Sequence, residues 1–338
     1  MAHEIEATDH MFSVKEVPWH KLGTVLDDHP ATSREAIEAA KLDWTVEKRR
    51  LFSQTATGND LEMDEFFAMI RVDKTHGEIP LGVVGSRYEP LQNSDAFEFF
   101  DEIIKTKVGQ YETAGSLRDG RKVWVLAKMN GEVSVGEKDT VDKYVLLSNS
   151  HDGSSAITVK ITPIRVVCNN TLSAALRGNK DVKNEFSLRH TKSAKERLAA
   201  AERTLENVNK AYEKLGKVWG KMAEIELPAH DRIKFVNRVF PNKENWKNDV
   251  RLMTKRAEIL GLMDRGMGME LDSAHGTLWG AYNAVTEHVT HSVSQRQGST
   301  LDTHVDNLWF GRLDAVLEDA FSVSLDFLKN RGVDVATL

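Results

Sequence analysis

The sequence predicts an α+β fold, with an antiparallel, sheet-rich N-terminal half carrying packed helices and a helical C-terminal half. Three observations point there. Up to about residue 163, short runs rich in β-branched and aromatic residues alternate with polar turns. Asp119-Gly120 lies between two of these runs, a strong hairpin signal. After Asn170 the apolar residues recur instead at spacings of three and four, the period of a helix. The expected organisation is an α+β core domain over residues 1–190. A helical region over 191–338 is expected to pack on it or extend from it.

Taken in order, the first thirty residues read as irregular, with PWHKLGTVL as their one apolar anchor. Thr32 and Glu35 have capping-box spacing, so REAIEAAKL reads as a short helix. DWTVEKRRLFS, EFFAMIRV and PLGVVG read as strands. Asn93 is placed to cap a helix that carries Phe97, Phe100 and Ile104 on one side. QYETAGSL and KVWVLAKM flank the Asp-Gly turn, and YVLLSNS and ITVKITPI complete an antiparallel meander. Next, Leu198, Ala201, Leu205, Val208, Tyr212, Leu215, Trp219 and Met222 form an apolar seam longer than three heptads. Arg203, Lys210, Lys214, Lys217 and Lys221 fall opposite that seam. Pro228 and Pro241 bracket a shorter helix, a second helix runs to about Met263, and GMGMELDSAHGT reads as a glycine-rich connector. Leu278, Tyr282, Val285 and Val289 then share a helix face, SQRQGSTLDTH reads as an exposed loop, and an amphipathic helix closes the chain.

Composition narrows the chemistry. With 41% apolar and 28% charged residues, the 338-residue chain has the make-up of a globular protein. No run is apolar enough to span a bilayer and the N-terminus lacks secretory-signal features, so no membrane partner and a cytoplasmic location are expected. Cys168 is the single cysteine and sits in the apolar context VVC, which suits a small core residue. GxxxxGK[ST], HEXXH and GxSxG are all missing, so no nucleotide, metal or other cofactor is expected. His288 and His291 beside Glu287 have a spacing that can face one ion, yet nothing else in the sequence completes the site. His151-Asp152, in the turn HDGSSA, has the make-up of an acid–base pair, although Asp and Gly are also ordinary turn residues.

Charge is the strongest pointer to a partner. The chain carries a net −6, yet residues 158–222 hold fourteen Lys/Arg against six Asp/Glu. A basic island in an acidic protein suggests a polyanion. Asn169 or Asn170 can cap a helix TLSAALR, and its open N–H groups with Arg165 on the preceding strand would make an anion site. Arg177, Lys180, Lys183, Arg189, His190, Lys192 and Lys195 extend that surface, and Phe186 offers a face for an unpaired base.

Several stretches resemble the uncharacterised phage/plasmid-like protein family found on phages, prophages and mobile elements. They are PWHKLGT, SRYEPLQN, RVVCNNTL, RHTKSAKER, TLWGAYNAVTEHVTH and NLWFG, and they span nearly the whole chain. The resemblance implies a mobile-element origin and a cytoplasmic working site; it names no activity. The order helix, meander, helix also looks like the core of single-strand annealing proteins of the Rad and Red-beta types, which assemble into rings or filaments. The expectation is therefore a non-enzymatic DNA-metabolism protein that binds single-stranded DNA and promotes annealing in recombination. Arg165, Asn169, Asn170, Arg177, Lys180, Lys183, Arg189 and Lys192 would contact phosphates, and the apolar seam would support a homo-oligomer, with host or phage recombination proteins as further partners. The rival readings are an interaction protein that engages a host factor through the acidic remainder of the chain, and a hydrolase centred on His151 and Asp152 or on the helix carrying His288.

Overall fold

The structure is a computed structural model. It describes residues 8–15, 23–105, 109–165, 167, 170–171, 185–194, 196, 202–242, 249–292, 307–309 and 311–338. The larger of its two sheets grows from the meander read in the sequence. β6 (Gly109–Leu117) and β7 (Lys122–Ser134) pair antiparallel about the 118–121 turn, where Arg118, Asp119 and Gly120 all take positive φ. β8 (Thr140–Ser150) pairs with β7, and beyond it the sheet divides. The start of β8 holds β10 (Ile164–Arg165) and then β11 (Asn170–Thr171), and its later part holds β9 (Ile157–Ile161) and then β12 (Glu185–Leu188). On the other side β6 pairs with β1 (Met11–Val14), which runs parallel to β2 (Thr24–Leu26). The segment read as irregular thus supplies two strands. At four and three residues they are too short to display a period of two.

A second, three-stranded antiparallel sheet is formed by β3 (Thr45–Gln54), β4 (Asp60–Asp73) and β5 (Gly77–Gly85). Met69 and Val84 on its inner face are buried, while Phe66 and Val83 on the outer face are exposed. Helix α1 (Ser33–Ala39) starts as its capping residues require: the Thr32 hydroxyl accepts from Glu35 N at 3.2 Å and the Glu35 carboxylate accepts from Ala31 N at 2.7 Å. Helix α2 (Asn93–Lys105) buries Phe97 and Phe100 completely. Asn93 does not cap it. Its side chain donates to the Leu42 carbonyl at 3.0 Å and its Oδ1 faces His151, so it joins α2 to its neighbours instead.

In the C-terminal half, α3 (Glu202–Glu224) buries Val208, Tyr212, Leu215, Trp219 and Met222, the described part of the predicted seam. The Tyr212 hydroxyl donates to the Tyr144 carbonyl at 2.9 Å and accepts from Tyr144 N at 2.8 Å, tying α3 to β8. Those apolar residues are consumed inside the chain, which corrects the expectation that they join copies together. Lys210 and Lys217 do face outward, and Lys217 Nζ reaches the Leu338 carbonyl. Helices α4 (Ala229–Val239), α5 (Val250–Arg265), α6 (Leu278–Glu287) and α7 (Arg312–Asn330) complete the half, with a π-turn, His288–Ser292, extending α6. Every residue of α6 is buried rather than one face, because α3, α5 and α7 surround it. Gly280 allows this packing: a Cβ there would lie 2.0 Å from the Ala274 carbonyl oxygen. One continuous core runs from Phe12 to Leu328, and a smaller apolar cluster around Trp124 and Leu146 is backed by Trp309. No helix among the described residues is long and apolar enough to cross a membrane.

Candidate nucleic-acid interface

Three segments far apart in sequence meet at one corner: residues 86–93 after β5, the turn 151–155 after β8, and residues 188–192 at the end of β12. Local chemistry shapes each of them. Ser86 and Arg87 make a tight turn closed by Tyr88 N on the Gly85 carbonyl at 3.1 Å, and Lys48 Nζ clamps it by donating to the Ser86 and Tyr88 carbonyls. In the 151–155 turn the Asp152 carboxylate accepts from Ser150 Oγ at 2.5 Å and Ser154 N at 2.9 Å, and Gly153 takes φ 78°. Burial alone would raise the Asp152 carboxyl pKa, but the hydrogen bonds from Ser150 and Ser154 hold it below the usual range. β12 reaches the corner by pairing with β9.

The segments are then locked together. Glu89 N donates to the His190 carbonyl at 3.2 Å, and the Tyr88 and His190 rings stack with centroids 4.5 Å apart and planes 21° apart. The Tyr88 hydroxyl donates to the Ser150 carbonyl at 2.7 Å. The turn presses on β5 so closely that a Cβ at Gly82 would lie 2.9 Å from the Asp152 carbonyl oxygen. His151 lies beneath with no exposed surface, its Nε2 3.0 Å from Asn93 Oδ1 and its ring edge-on to Trp44. Burial, then the neighbouring His190 and Arg71, push His151 down to about 3; burial pushes His190 down to about 4. Both rings are neutral at physiological pH; Lys48 is engaged by the Ser86 and Tyr88 carbonyls and by Glu89, so the exposed positive charge of the corner comes from Arg87, Arg189 and Lys192.

This geometry sorts the residues expected from sequence. Arg189 and Lys192 are at the surface of the corner. Arg165 is not a surface cation: it is fully buried, its Nε and Nη2 each donating at 2.7 Å to Asp139. Asp139 also accepts from Ser273 Oγ and Trp279 Nε1, and Arg165 reaches the Met267 and Gly268 carbonyls. It therefore clasps the glycine-rich segment to the sheet, and that segment is packed structure rather than a loose junction. Asn170 sits in β11 opposite Arg165. Asn169, Arg177, Lys180 and Lys183 lie outside the described residues, as does the helix expected at 171–177 beyond Thr171. Lys160, counted in the basic island, is tied to Asp314 at 2.5 Å.

The acid–base pair proposed for His151 and Asp152 is not formed. The His151 ring faces Asn93 and Asn149, the Asp152 carboxylate faces Ser150 and Ser154, and a ring with no exposed surface cannot meet a substrate. His288 lies 3.6 Å from Glu258, and no metal-ligating cluster occurs among the described residues. Sequence reasoning missed Arg87 and Tyr88. Their only signal was membership of SRYEPLQN, one of the stretches carrying the family resemblance; another, RHTKSAKER, contains Arg189, His190 and Lys192.

No curated protein and no solved structure matches this chain. A family described as a domain of unknown function, DUF932, matches residues 80–309, a span that includes all three segments of the corner. The chain belongs to the DUF932 family.

Proposed function

We propose that the protein binds single-stranded DNA at this corner and promotes annealing of complementary strands in recombination. One observation carries the reading: Arg87, Arg189 and Lys192 are exposed cations on two segments joined by the Glu89–His190 hydrogen bond and the Tyr88–His190 stack. Cations on a rigid mount suit phosphate oxygens, because little orientation is lost when the bond forms. Contacts of this kind track a backbone without reading bases and require no nucleotide or metal. Asn169, Asn170, Arg177, Lys180 and Lys183 belong to the same proposal as further phosphate contacts. Arg165 does not, because Asp139 occupies it.

Fluorescence anisotropy of a labelled single-stranded oligonucleotide tests the binding. Arg87, Arg189 and Lys192 alone give a log–log salt slope of about −2, and Arg177, Lys180 and Lys183 steepen it to about −4, so affinity should fall by at least roughly 15- to 20-fold between about 50 and 200 mM salt. Changing Arg87, Arg189 and Lys192 together to Ala should weaken binding at low salt and flatten that slope. No binding at low salt, or binding indifferent to salt, refutes the reading. Annealing is measured separately, by quenching between complementary labelled strands. Binding without faster annealing would leave a DNA-binding protein and remove the annealing activity.

A further inference from the structure

A cleft of about 500 Å³ lies between α3 and the bulged part of the β7–β8 pair. The register of that pair shifts between Lys128 and Glu132, so Met129, Asn130 and Gly131 have no partner on β8, and Gly131 takes φ 74°. A bulge of this kind bends its strand and re-aims the side chains beside it. Here the bare Gly131 leaves room for Lys143, whose Nζ lies 3.4 Å from where a Cβ at 131 would stand. Nearby, α3 closes on the sheet: a Cβ at Gly216 would lie 2.6 Å from Val133 Cγ1. Val133 and Tyr212 line the cleft from its two sides. Val133 stands beside Val141, and Lys143, two residues along β8, belongs to the same face of the sheet. Asn209 and Glu213 are one turn apart on α3, on the side that carries Gly216. One wall of the cleft thus offers an ammonium, and the other a carboxylate and an amide.

These groups do not satisfy one another. Lys143 is half-buried, yet among the described residues neither it nor Asn209 nor Glu213 makes a side-chain hydrogen bond or ion pair. Lys128 is paired with Asp142 at 2.6 Å. Glu132 also lines the cleft, but it stands in register with Asp142, on the opposite face of the sheet from Lys143. We infer that the cleft binds a small zwitterion, the chemistry shared by a free α-amino acid and a short peptide. Its carboxylate meets the Lys143 ammonium, its ammonium meets the Glu213 carboxylate, and the Asn209 amide, one turn away, hydrogen-bonds beside it. A simple anion would suit Lys143 but face Glu213, and a simple cation the reverse; a ligand with both charges satisfies both walls. The volume is in the range of small-molecule sites. The cleft shares no residue with the Arg87–Arg189–Lys192 corner, so it goes beyond DNA binding and stands or falls independently of it.

The experiment is isothermal titration calorimetry of the full chain, without DNA, against each genetically encoded amino acid and glycylglycine at up to about 10 mM. At least one should bind, and because it bridges α3 and β8 it should also raise the melting temperature. Two blocked forms of the ligand that binds serve as controls: the N-acetyl form lacks the ammonium, and the C-terminal amide lacks the carboxylate. Each should bind at least about 10-fold more weakly. Lys143→Met and Glu213→Gln should each cause a loss of the same size, while keeping the circular dichroism of the wild type. The blocked forms test the two charges on the wild-type protein, so the outcome does not depend on the variants folding. Binding of amino acids alone marks a free amino acid as the source, and binding of glycylglycine alone marks a peptide; either supports the inference. Neither heat nor a rise in melting temperature with any of these compounds overturns it. So does a blocked form that binds as tightly as the zwitterion, and so does binding that either folded variant leaves unchanged.

Discussion

His151 and Arg165 are both titratable, both fully buried, and were both candidates for chemistry on sequence grounds. Their type alone does not distinguish a working group from a packed one; the partner does, and the partner is distant in sequence. Asp139 lies 26 residues before Arg165 and Asn93 lies 58 before His151, so no local pattern announces either pairing. Arg71 repeats the lesson in part: its ion-pair partner Asp73 is two residues on, but the Thr8 and Asp119 carbonyls that bury it lie 63 and 48 residues away. The histidines make acid sensitivity predictable. His151 is held at about 3 and His190 at about 4 in the folded protein, against about 6.5 in the unfolded chain. Below about pH 6.5 the unfolded chain therefore binds protons that the folded one refuses, and stability falls with pH down to the folded values. Above 6.5 neither state takes the proton and the stability is fully present. By pH 5 each ring should cost about 2 kcal/mol, at about 1.4 kcal/mol per unit. Urea unfolding at pH 7.5 and pH 5 measures this, and a His151→Asn variant should show a smaller pH dependence. Equal pH dependence in the two proteins would remove His151 from the cause.

Elements were legible wherever the hydrophobic period was long enough to be counted. The spacing from Val208 to Met222 identified a helix and its buried side, and the Asp-Gly turn identified the β6–β7 hairpin. What the period leaves open is which surface receives the buried side. The same seam serves an oligomer or the rest of the fold equally well, and here β8 takes Tyr212 through the Tyr144 backbone while α6 takes Trp219 against Trp279. The Tyr212 hydroxyl satisfies both a donor and an acceptor of the Tyr144 backbone, close to the register shift in β7 between Lys128 and Glu132. Phenylalanine at position 212 would keep the ring and leave the Tyr144 N–H without that partner. A Tyr212→Phe variant is expected to lose about 1–3 kcal/mol in urea unfolding. A loss below about 0.5 kcal/mol would mean that the ring's packing, not its hydroxyl, joins α3 to the sheet. The candidate site was less legible than these elements. It is built from ends of elements, at Tyr88, Ser150 and His190, where no period exists, and only contact between distant turns assembles it.

At the scale of the whole molecule, the sequence suggested an α+β core domain over 1–190 with a helical region over 191–338 packing on it or extending from it, and the described contacts tie the two stretches closely together. Tyr212 of α3 is bonded to β8, Ser273 and Trp279 are bonded to Asp139 at the entry to β8, and Asp314 of α7 is paired with Lys160 of β9. Trp309 meets Trp124 of β7 with ring centroids 5.5 Å apart. Each of these contacts crosses residue 190, and each leaves a buried polar or aromatic group without its partner if the halves separate. Asp139 would be the worst placed, since Arg165 alone would remain to hold a carboxylate whose other two donors come from the C-terminal half. The two halves should therefore unfold together. In urea, tryptophan fluorescence and far-ultraviolet circular dichroism should trace one coincident transition for the full chain. A fragment of residues 1–190 should bind a hydrophobic dye and melt without a cooperative transition, because the sheet face that receives α3 would be bare. Two resolved transitions in the full chain, or sharp unfolding of the fragment alone, would show instead that the sheet stands without its helices and that the contacts across residue 190 join two independent units.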